Sequence, residues 1–260
     1  MSDRGRRPLA VLVAAACVFP FAGLALLSVS GPSEFPALWP KGLRLDRWTG
    51  VLFGDRTLLD SLALSLLVST TVGLVAAAAG FVTARSVADH PRRRSIVLLA
   101  YLPFAASPVV LGVCLLYLYI RLGLVATVAG VVLSHTIFAY AFALLFWVPF
   151  WNAEKREYED LVRTLGGTRL DAYRHVLLPL SKGPFLLCFF QAFLISWFQY
   201  GLTLLVGSGK VDTLPLRVYA YVNEADLGYA AVASGLLLIP PLALSWLNLR
   251  VVAARAWRAR

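Results

Sequence analysis

Charged residues are scarce in this chain: only 15% of its 260 residues are Asp, Glu, Lys or Arg, whereas 59% are hydrophobic. Soluble globular domains carry about 25% charged residues. The mean hydropathy of +0.74 and several apolar runs, each long enough for the roughly 20 residues that cross a bilayer as a helix, exclude a soluble protein. No segment between the runs is large enough for a soluble domain, so we predict one all-α, polytopic membrane domain over residues 1–260.

Cysteine and histidine are also rare, with three of each. The cysteines all fall within apolar runs, where they behave as small buried hydrophobes rather than as disulfides or metal ligands. His90, His135 and His175 lie in separate predicted elements, so the sequence contains no recognisable set of metal ligands or catalytic groups. We therefore predict a protein without metal, cofactor or enzymatic activity.

The apolar runs predict six transmembrane helices with uncertain ends. The first run follows three arginines like a secretory signal, but it is too long for one and is expected to be retained. Pro103 and Pro108 are expected to kink the third span. The predicted spans cover residues 9–29, 58–84, 95–120, 122–148, 185–206 and 229–249.

The distribution of basic residues predicts the orientation. If the N-terminus lies in the cytoplasm, the inner segments contain 17 of the 24 Lys and Arg residues. Cytoplasmic loops keep such an excess, so both termini are predicted to be cytoplasmic. The net charge of +10 follows from this topology and does not indicate a nucleic-acid partner.

Within the six predicted spans the only Asp, Glu, Lys or Arg is Asp60, at the start of the second span. Ion-coupled carriers usually keep a buried ionisable residue, so a proton- or sodium-driven carrier is disfavoured. Gly209 and Lys210 come nearest to a phosphate-binding loop, but Leu204 and Val211 occupy positions that require glycine and a hydroxyl. Energy for any uphill transport is therefore expected to come from another protein, although a standalone carrier or channel stays the alternative.

A polar segment at residues 152–183 interrupts the apolar sequence on the predicted inner side. Its first half places apolar residues at i, i+3, i+4 and i+7, the spacing of one helix face: Tyr158, Leu161, Val162 and Leu165. Gly166 and Gly167 then allow the left-handed backbone that ends a helix and reverses the chain.

A second short helix is predicted to follow this turn. Thr168 with Asp171 resembles a capping box, and Pro179 is expected to stop or kink the helix. The resulting helix-turn-helix would either rest on lipid headgroups or dock on a soluble partner.

The spacing of this segment resembles a known signature. Asp160-Leu161-Val162, three residues, Gly166, nine residues and Val176-Leu177-Leu178-Pro179 resemble the EAA loop, EAA-x3-G-x9-I-x-L-P, of permease subunits of binding-protein-dependent ABC importers. Asp stands in place of Glu, Leu-Val in place of Ala-Ala, and Val in place of Ile. Residues 196–222 are similar to the segment after this loop in permeases of the polyamine, iron(III) and thiamine branch.

This resemblance implies a MetI-like permease in the bacterial cytoplasmic membrane. An extracytoplasmic substrate-binding protein would deliver substrate to two permease halves, identical or homologous, and two cytoplasmic ABC ATPase subunits would drive them. The resemblance implies that the hairpin couples to the ATPase through Tyr158, Asp160, Leu161, Val162, Gly166, Gly167 and Pro179. Which face of the hairpin docks, and which substrate is carried, stay open.

Polar side chains in the spans are candidates for the substrate path. On the fifth span, Ser196, Gln199 and Thr203 recur at i, i+3 and i+7 with Tyr200 nearby, and the fourth span carries His135. Because polar groups facing lipid are costly, these side chains are expected to face other helices or a watery cavity. Ordinary interhelical hydrogen bonds are the alternative.

Overall fold

The computed structural model describes residues 3–31, 42–43, 45–54 and 56–258. Its elements are helical, and the described residues contain no strand beyond an isolated β-bridge between Ser30 and Leu43. The predicted all-α class is therefore confirmed. The first helices are α1 (Asp3–Ser28), α2 (Asp46–Phe53), α3 (Thr57–Ala88), α4 (Arg93–Ala100), α5 (Leu102–Ala105), α6 (Pro108–Leu122) and α7 (Val128–Trp147).

The second part of the chain begins with two short helices, α8 (Ala153–Thr164) and α9 (Arg169–Ala172). A π-helical turn, Tyr173–Leu177, then leads into α10 (Leu178–Trp197). The remaining helices are α11 (Gly201–Gly207), α12 (Leu214–Asn223) and α13 (Leu227–Arg258). Helices α2 and α12 were not expected from the sequence, since each is too short to form a span.

Four helical segments in the described residues are long and apolar enough to cross a membrane: Thr57–Ala88, Val128–Trp147, Arg169–Trp197 and Leu227–Arg250. A bent pair, Arg93–Ala105 with Pro108–Leu122, is a fifth candidate, and the described apolar part of α1, Leu12–Ser28, is shorter than a full span. Multiple membrane helices are thus present. The count of six and the cytoplasmic location of both termini stay predictions.

The third predicted span, 95–120, was expected to be kinked at its prolines, and the structure has it as two helical segments with a sharp break between them. The segments on either side of residues 106–107 meet at 98°. Ala106 and Ser107 both have extended backbone with ψ of 141°. Since a residue before proline is pushed out of the α region, Pro108 explains the break and then starts α6 at a favourable first-turn position.

The fifth predicted span, 185–206, also contains a break in the structure. Helix α10 ends at Trp197, and a new helix starts at Gly201. The new helix, α11, packs closely on α6: a Cβ atom on Gly201 would lie 3.0 Å from Val109 Cγ2. Apolar periodicity cannot reveal this break because the residues on both sides of it are equally apolar.

The chain divides into two compact units, Met1–Ala63 with Thr213–Pro240, and Leu64–Asp212 with Pro241–Arg260. In the first unit, the Arg47 guanidinium donates a 2.6 Å hydrogen bond to the Ser30 carbonyl, and Tyr221 stacks on Tyr229. The prediction of a single domain over residues 1–260 stays a prediction.

The second unit contains the larger apolar core and both candidate sites. Its core combines aromatic side chains with many small and branched residues of α3, α7 and α10, among them Val72, Ala139 and Ala192, which have no exposed surface. Small side chains let helix backbones approach closely, which is the usual way in which membrane helices pack.

Candidate functional sites: the polar hairpin and a buried histidine

The first arm of the hairpin is helix α8. The Asn152 side chain caps it by accepting a 3.2 Å hydrogen bond from the Lys155 amide. At its other end, the Gly167 amide donates to the Val162 carbonyl (2.9 Å) and the Gly166 amide to the Arg163 carbonyl (3.1 Å). These two hydrogen bonds form a Schellman motif, so the predicted helix end at the glycine pair is where the structure has it.

The two glycines serve different physical needs. Gly166 has φ of +85°, in the left-handed region that side chains rarely adopt, and open space surrounds the position where its Cβ would lie. Gly167 has no such φ, but a Cβ there would lie 2.6 Å from Val162 Cγ1. The turn thus requires a left-handed conformation at one position and a close approach at the next.

The second arm starts at the predicted capping box. The Asp171 amide donates to Thr168 Oγ1 at 3.2 Å, and the Thr168 amide donates to Asp171 Oδ2 at 2.8 Å. Of the two outcomes expected at Pro179, a stop or a kink of the helix, the structure excludes the stop. The π-helical turn Tyr173–Leu177 directly precedes Pro179, and helix continues over the 29 residues Arg169–Trp197. The second arm and the following membrane helix are therefore one element.

Ion pairs attach the hairpin to the end of α3. Glu159 on α8 accepts two hydrogen bonds from Arg85, Nε to Oε1 at 3.0 Å and Nη2 to Oε2 at 2.6 Å. Arg85 also pairs with Asp89, and the second oxygen of Asp89 lies 2.5 Å from Arg156 Nη2. Bidentate charge-assisted pairs of this kind define orientation as well as distance.

An aromatic cluster supports the same attachment. Buried Trp151 lies beside Phe81 and Tyr173, with ring centroids 5.0 and 5.7 Å away, and its indole Nε1 donates to the Phe81 carbonyl at 3.1 Å. The Arg85 guanidinium sits 5.6 Å from the centroid of the Trp151 ring. Helix α3, the start of the hairpin and its second arm thus share one packed contact.

The predicted apolar face of α8 is divided between buried and exposed positions. Tyr158 and Val162 are half-buried, and Tyr158 Oη donates to Glu154 at 3.2 Å. Three leucines around the turn are exposed, Leu161 by 57%, Leu165 by 79% and Leu170 by 73%. The tip of the hairpin therefore presents an apolar patch, which we call the leucine patch.

Acidic groups on α8 also differ in exposure. The Asp160 side chain is 74% exposed, and its nearest cation, Arg163 Nη1, lies 3.9 Å away. Neighbouring Glu159 is only 13% exposed and is held by Arg85. Near the start of the helix, the hydrogen bond from the Lys155 ammonium lowers the pKa of the exposed Glu154 carboxyl. The charge of Asp160 is thus far more accessible than that of neighbouring Glu159.

Sequence reasoning missed Arg85, Glu159 and Trp151 as members of this site. Arg85 and Glu159 are 74 positions apart, so no local spacing connects them. A weaker signal was available. Arg85 and Asp89 stand at i and i+4 at the predicted inner end of a span, a spacing that predicts an ion pair on one helix. This spacing does not indicate a partner in the hairpin.

The candidate path residues include a fully buried polar group. His135 on α7 lies between Ser196, near the end of α10, and Thr203 on α11, with Nδ1 to Ser196 Oγ at 2.8 Å and Nε2 to Thr203 Oγ1 at 2.9 Å. All three side chains are buried. One histidine therefore bridges both sides of the break between α10 and α11.

The hydrogen bonds also assign the histidine tautomer. The Thr203 hydroxyl donates its proton to the Gln199 carbonyl at 3.0 Å, so towards His135 it accepts. The His135 proton then sits on Nε2, and Nδ1 accepts from the Ser196 hydroxyl. Gln199 takes part through its backbone, and its side chain and Tyr200 are half-buried at the break.

The described residues contain no group of three His, Cys, Asp or Glu side chains that could hold a metal ion. The histidine cluster has hydroxyl partners instead of ligands of that kind, and its geometry is that of an interhelical hydrogen-bond network.

Comparison with known proteins defines the class. No family model matches the chain. It is 29% identical over 240 residues, 86% of both chains, to the molybdenum transport system permease protein ModB of Mycobacterium tuberculosis. It is 28% identical over 191 residues to the inner membrane ABC transporter permease protein YnjC of Escherichia coli, covering 73% of this chain and 37% of that one. It is 26% identical over 210 residues to the diacetylchitobiose uptake system permease protein NgcG of Streptomyces coelicolor, covering 78% and 68%.

The helical membrane fold and these relatives define a multi-pass transmembrane permease. The chain is a permease of an ABC importer, as the EAA-like loop predicted, and it acts as a transport subunit. The relatives give no support to a standalone carrier or channel.

Proposed function

We propose that this chain forms half of the substrate pathway of an ABC importer in a bacterial cytoplasmic membrane. Its hairpin, residues 152–183, would couple the pathway to a separate cytoplasmic ATPase subunit. The observation that carries this proposal is the leucine patch on a hairpin whose root is tied to α3 and whose second arm continues into a membrane helix.

The leucine patch is the face that we propose docks on the ATPase. Three exposed leucines on one turn are unfavourable in water unless a partner covers them, and burying each would contribute roughly 1.5–3 kcal/mol. Asp160, whose carboxylate is well exposed beside Leu161, would meet a basic group of the same partner. Tyr158 and Val162, which are half-buried, would instead pack against other residues of this chain and so stabilise the hairpin.

The continuous helix Arg169–Trp197 supports a route for the movement. A displacement of the hairpin would shift this helix as a rigid body and would act at its far end, where the chain breaks between Trp197 and Gly201. Non-helical backbone within a membrane is tolerated where it is buried in protein or lines a cavity. We propose that this break, with Ser196, Gln199, Tyr200, Thr203 and His135 around it, is the moving part of the substrate path.

The remaining partners follow from the class. A second permease half, identical or homologous, would complete the pathway, and the bilayer would surround both halves. An extracytoplasmic binding protein would supply the substrate, and we propose no nucleic-acid partner. The relatives are named for different cargoes, molybdenum for ModB and diacetylchitobiose for NgcG. This difference agrees with selectivity that resides largely in the binding protein.

Reconstitution tests this proposal. The chain is expected to copurify with an ATPase that carries a Walker A motif, and together with its second half to stimulate nucleotide hydrolysis in proteoliposomes. The double variant Leu161→Ser/Leu165→Ser should weaken ATPase binding by at least about tenfold, since tenfold corresponds to only about 1.4 kcal/mol. Leu43→Ser is the matched control, because Leu43 is 76% exposed in a loop predicted to face outside.

Two results would contradict the proposal. One is equal ATPase affinity of the wild type and the double variant, measured on protein that inserts normally. The other is accumulation of substrate in vesicles that contain this chain but neither ATPase nor nucleotide.

A further inference from the structure

A groove at the root of the hairpin is not used by the proposed coupling mechanism. It has a volume of about 490 Å³, within the range of roughly 300–1,000 Å³ that is typical of small-ligand sites. One side is formed by Arg93, Arg94 and Tyr101, and the other by Leu145, Val148 and Pro149. All of these residues belong to the second unit, so the groove lies within one compact body.

The positive charge at this groove is not neutralised. Arg92, Arg93 and Arg94 are consecutive and exposed, and none of the three takes part in an ion pair within the described residues. Asp89 is the acidic residue just before them, and Arg85 and Arg156 already occupy its two oxygens. Arg85 and Arg156 thus have acidic partners, whereas Arg93 and Arg94 are free to attract an anion from outside the chain.

The position of the groove relates it to the membrane surface. It adjoins the end of α7, a few residues before the hairpin begins, and Asp89, just before the arginines, contacts the hairpin through Arg156. The basic residues of this end are those that predict the cytoplasmic side. The neighbouring surface of α4 is apolar and open, with Leu98 and Leu99 both more than half exposed, as expected of a surface that faces lipid.

We infer that the groove binds the headgroup of an anionic phospholipid of the cytoplasmic leaflet. The two arginines would hold the phosphate, and Tyr101 would lie at the level of the headgroups, where aromatic rings concentrate. The acyl chains would run along the exposed leucines of α4. A soluble phosphate would satisfy the arginines but would leave Tyr101 and the apolar wall uncovered, so the lipid is the occupant that fits both parts of the groove.

The consequence is a lipid that joins α4 to the end of α7. Both α4 and the end of α7 lie close to the residues that attach the hairpin. The bound lipid would therefore stabilise the position of these two helices at the root of the hairpin. This inference requires no ATPase and can fail independently of the coupling proposal.

Lipid retention measures the site directly. The purified full-length chain is titrated with phosphatidylglycerol or phosphatidylcholine of the same acyl composition, and bound lipid is counted by native mass spectrometry. The wild type is expected to retain phosphatidylglycerol in preference to phosphatidylcholine. Arg93→Gln/Arg94→Gln should weaken phosphatidylglycerol binding by about 30-fold, which corresponds to about 1 kcal/mol for each arginine.

Two further variants separate specific binding from general attraction. Arg169→Gln/Arg174→Gln removes the same charge from exposed positions of the hairpin arm and should leave phosphatidylglycerol binding within about twofold of the wild type. Arg93→Lys/Arg94→Lys preserves the charge and should restore most of the binding. Thermal unfolding monitored by tryptophan fluorescence checks that all variants are folded.

The inference is overturned by any of three outcomes. The first is phosphatidylglycerol retention that is unchanged in folded Arg93→Gln/Arg94→Gln protein. The second is an equal loss in the Arg169→Gln/Arg174→Gln control. The third is displacement of the lipid by inorganic phosphate at concentrations near that of the lipid, which would make a soluble anion the true occupant.

Discussion

Arg85, near the end of α3, donates two hydrogen bonds of 3.0 and 2.6 Å to the Glu159 carboxylate on the hairpin. The same guanidinium pairs with Asp89 and lies over the Trp151 ring. This arrangement holds the first arm of the hairpin against α3. In the proposed mechanism, it would allow a movement of the hairpin tip to reach that helix.

Glu159→Gln should loosen the hairpin without unfolding the membrane helices. The substitution removes the charge from a partly buried, bidentate pair, and hydrogen bonds to charged groups contribute about 1.5–3 kcal/mol. We expect amide exchange in residues 153–164 to accelerate by roughly 10–150-fold, measured by hydrogen–deuterium exchange in detergent.

The neighbouring residue supplies the control for this prediction. Asp160→Asn changes the same charge one position along, where the carboxylate is exposed and its nearest cation lies 3.9 Å away. Exchange in α8 should hardly change in that variant, because exposed pairs contribute little. ATPase stimulation should instead fall, since Asp160 is proposed to face the partner. Equal exchange rates in both variants would show that Arg85 does not anchor the hairpin.

Gly166→Val should abolish the stimulation of ATPase activity while leaving membrane insertion intact. A β-branched residue at φ of +85° is strained by roughly 1–2 kcal/mol or more, so the Schellman turn would open and the leucine patch would lose its geometry. Gly123→Val is matched for strain, with φ of +66° and open space around it, but lies in a turn outside the hairpin. The stimulation of ATP hydrolysis, measured in proteoliposomes, should be lost in Gly166→Val and retained in Gly123→Val. Normal stimulation in Gly166→Val would show that the turn is not part of the mechanism.

His135→Leu should destabilise the break between α10 and α11. The substitution removes the ring that bridges Ser196 and Thr203 and leaves buried hydroxyl groups with fewer partners, at a cost of about 1–3 kcal/mol. Exchange of the amides at 198–203 should rise accordingly.

Ser134→Ala is the control for the histidine, because Ser134 is equally buried but bonds only to the Gly130 carbonyl of its own helix, at 2.8 Å. Little change is expected there. If both variants behave alike at 198–203, the bridge has no mechanical role, and the two hydrogen bonds serve general packing.

Thr168→Ala should fray the start of the second arm. Loss of the N-cap hydroxyl typically costs about 1 kcal/mol, and here the capping box also orders the turn that follows the two glycines. Thr164→Ala is the comparison: its hydroxyl bonds to the Asp160 and Leu161 carbonyls of its own helix, a contact that adds no stability to a helix. Circular dichroism and local exchange at 168–172 should distinguish them, and equal effects would argue against the cap.

Several features of the hairpin could be predicted because their causes are local. The left-handed φ at Gly166 and the capping box of Thr168 and Asp171 each depend on residues within a few positions of each other. The same holds for the break before Pro108, although the sequence predicted only a kink there and not a bend of 98°. Short-range steric rules apply to any chain that carries these residues.

Other features depended on contacts between distant segments and could not be predicted. Pro179 was expected to stop or kink a helix, yet the helix does not stop there: a π-helical turn precedes Pro179, and the arm continues into α10. The fifth predicted span was expected to be continuous, yet it breaks where α11 packs on α6 and where His135 reaches both sides. Helix propensity is a weak preference, and tertiary packing readily overrides it.

The sequence by itself determined that this protein is a helical membrane permease, because apolar run length and the spacing of the EAA-like loop are written in consecutive residues. Only the tertiary structure decided which leucines of the hairpin stay exposed, that Glu159 rather than Asp160 attaches it, and that His135 spans a broken helix. The last two outcomes depend on contacts between residues 61 to 74 positions apart. The packing of whole helices brings these residues together, and no local sequence pattern does.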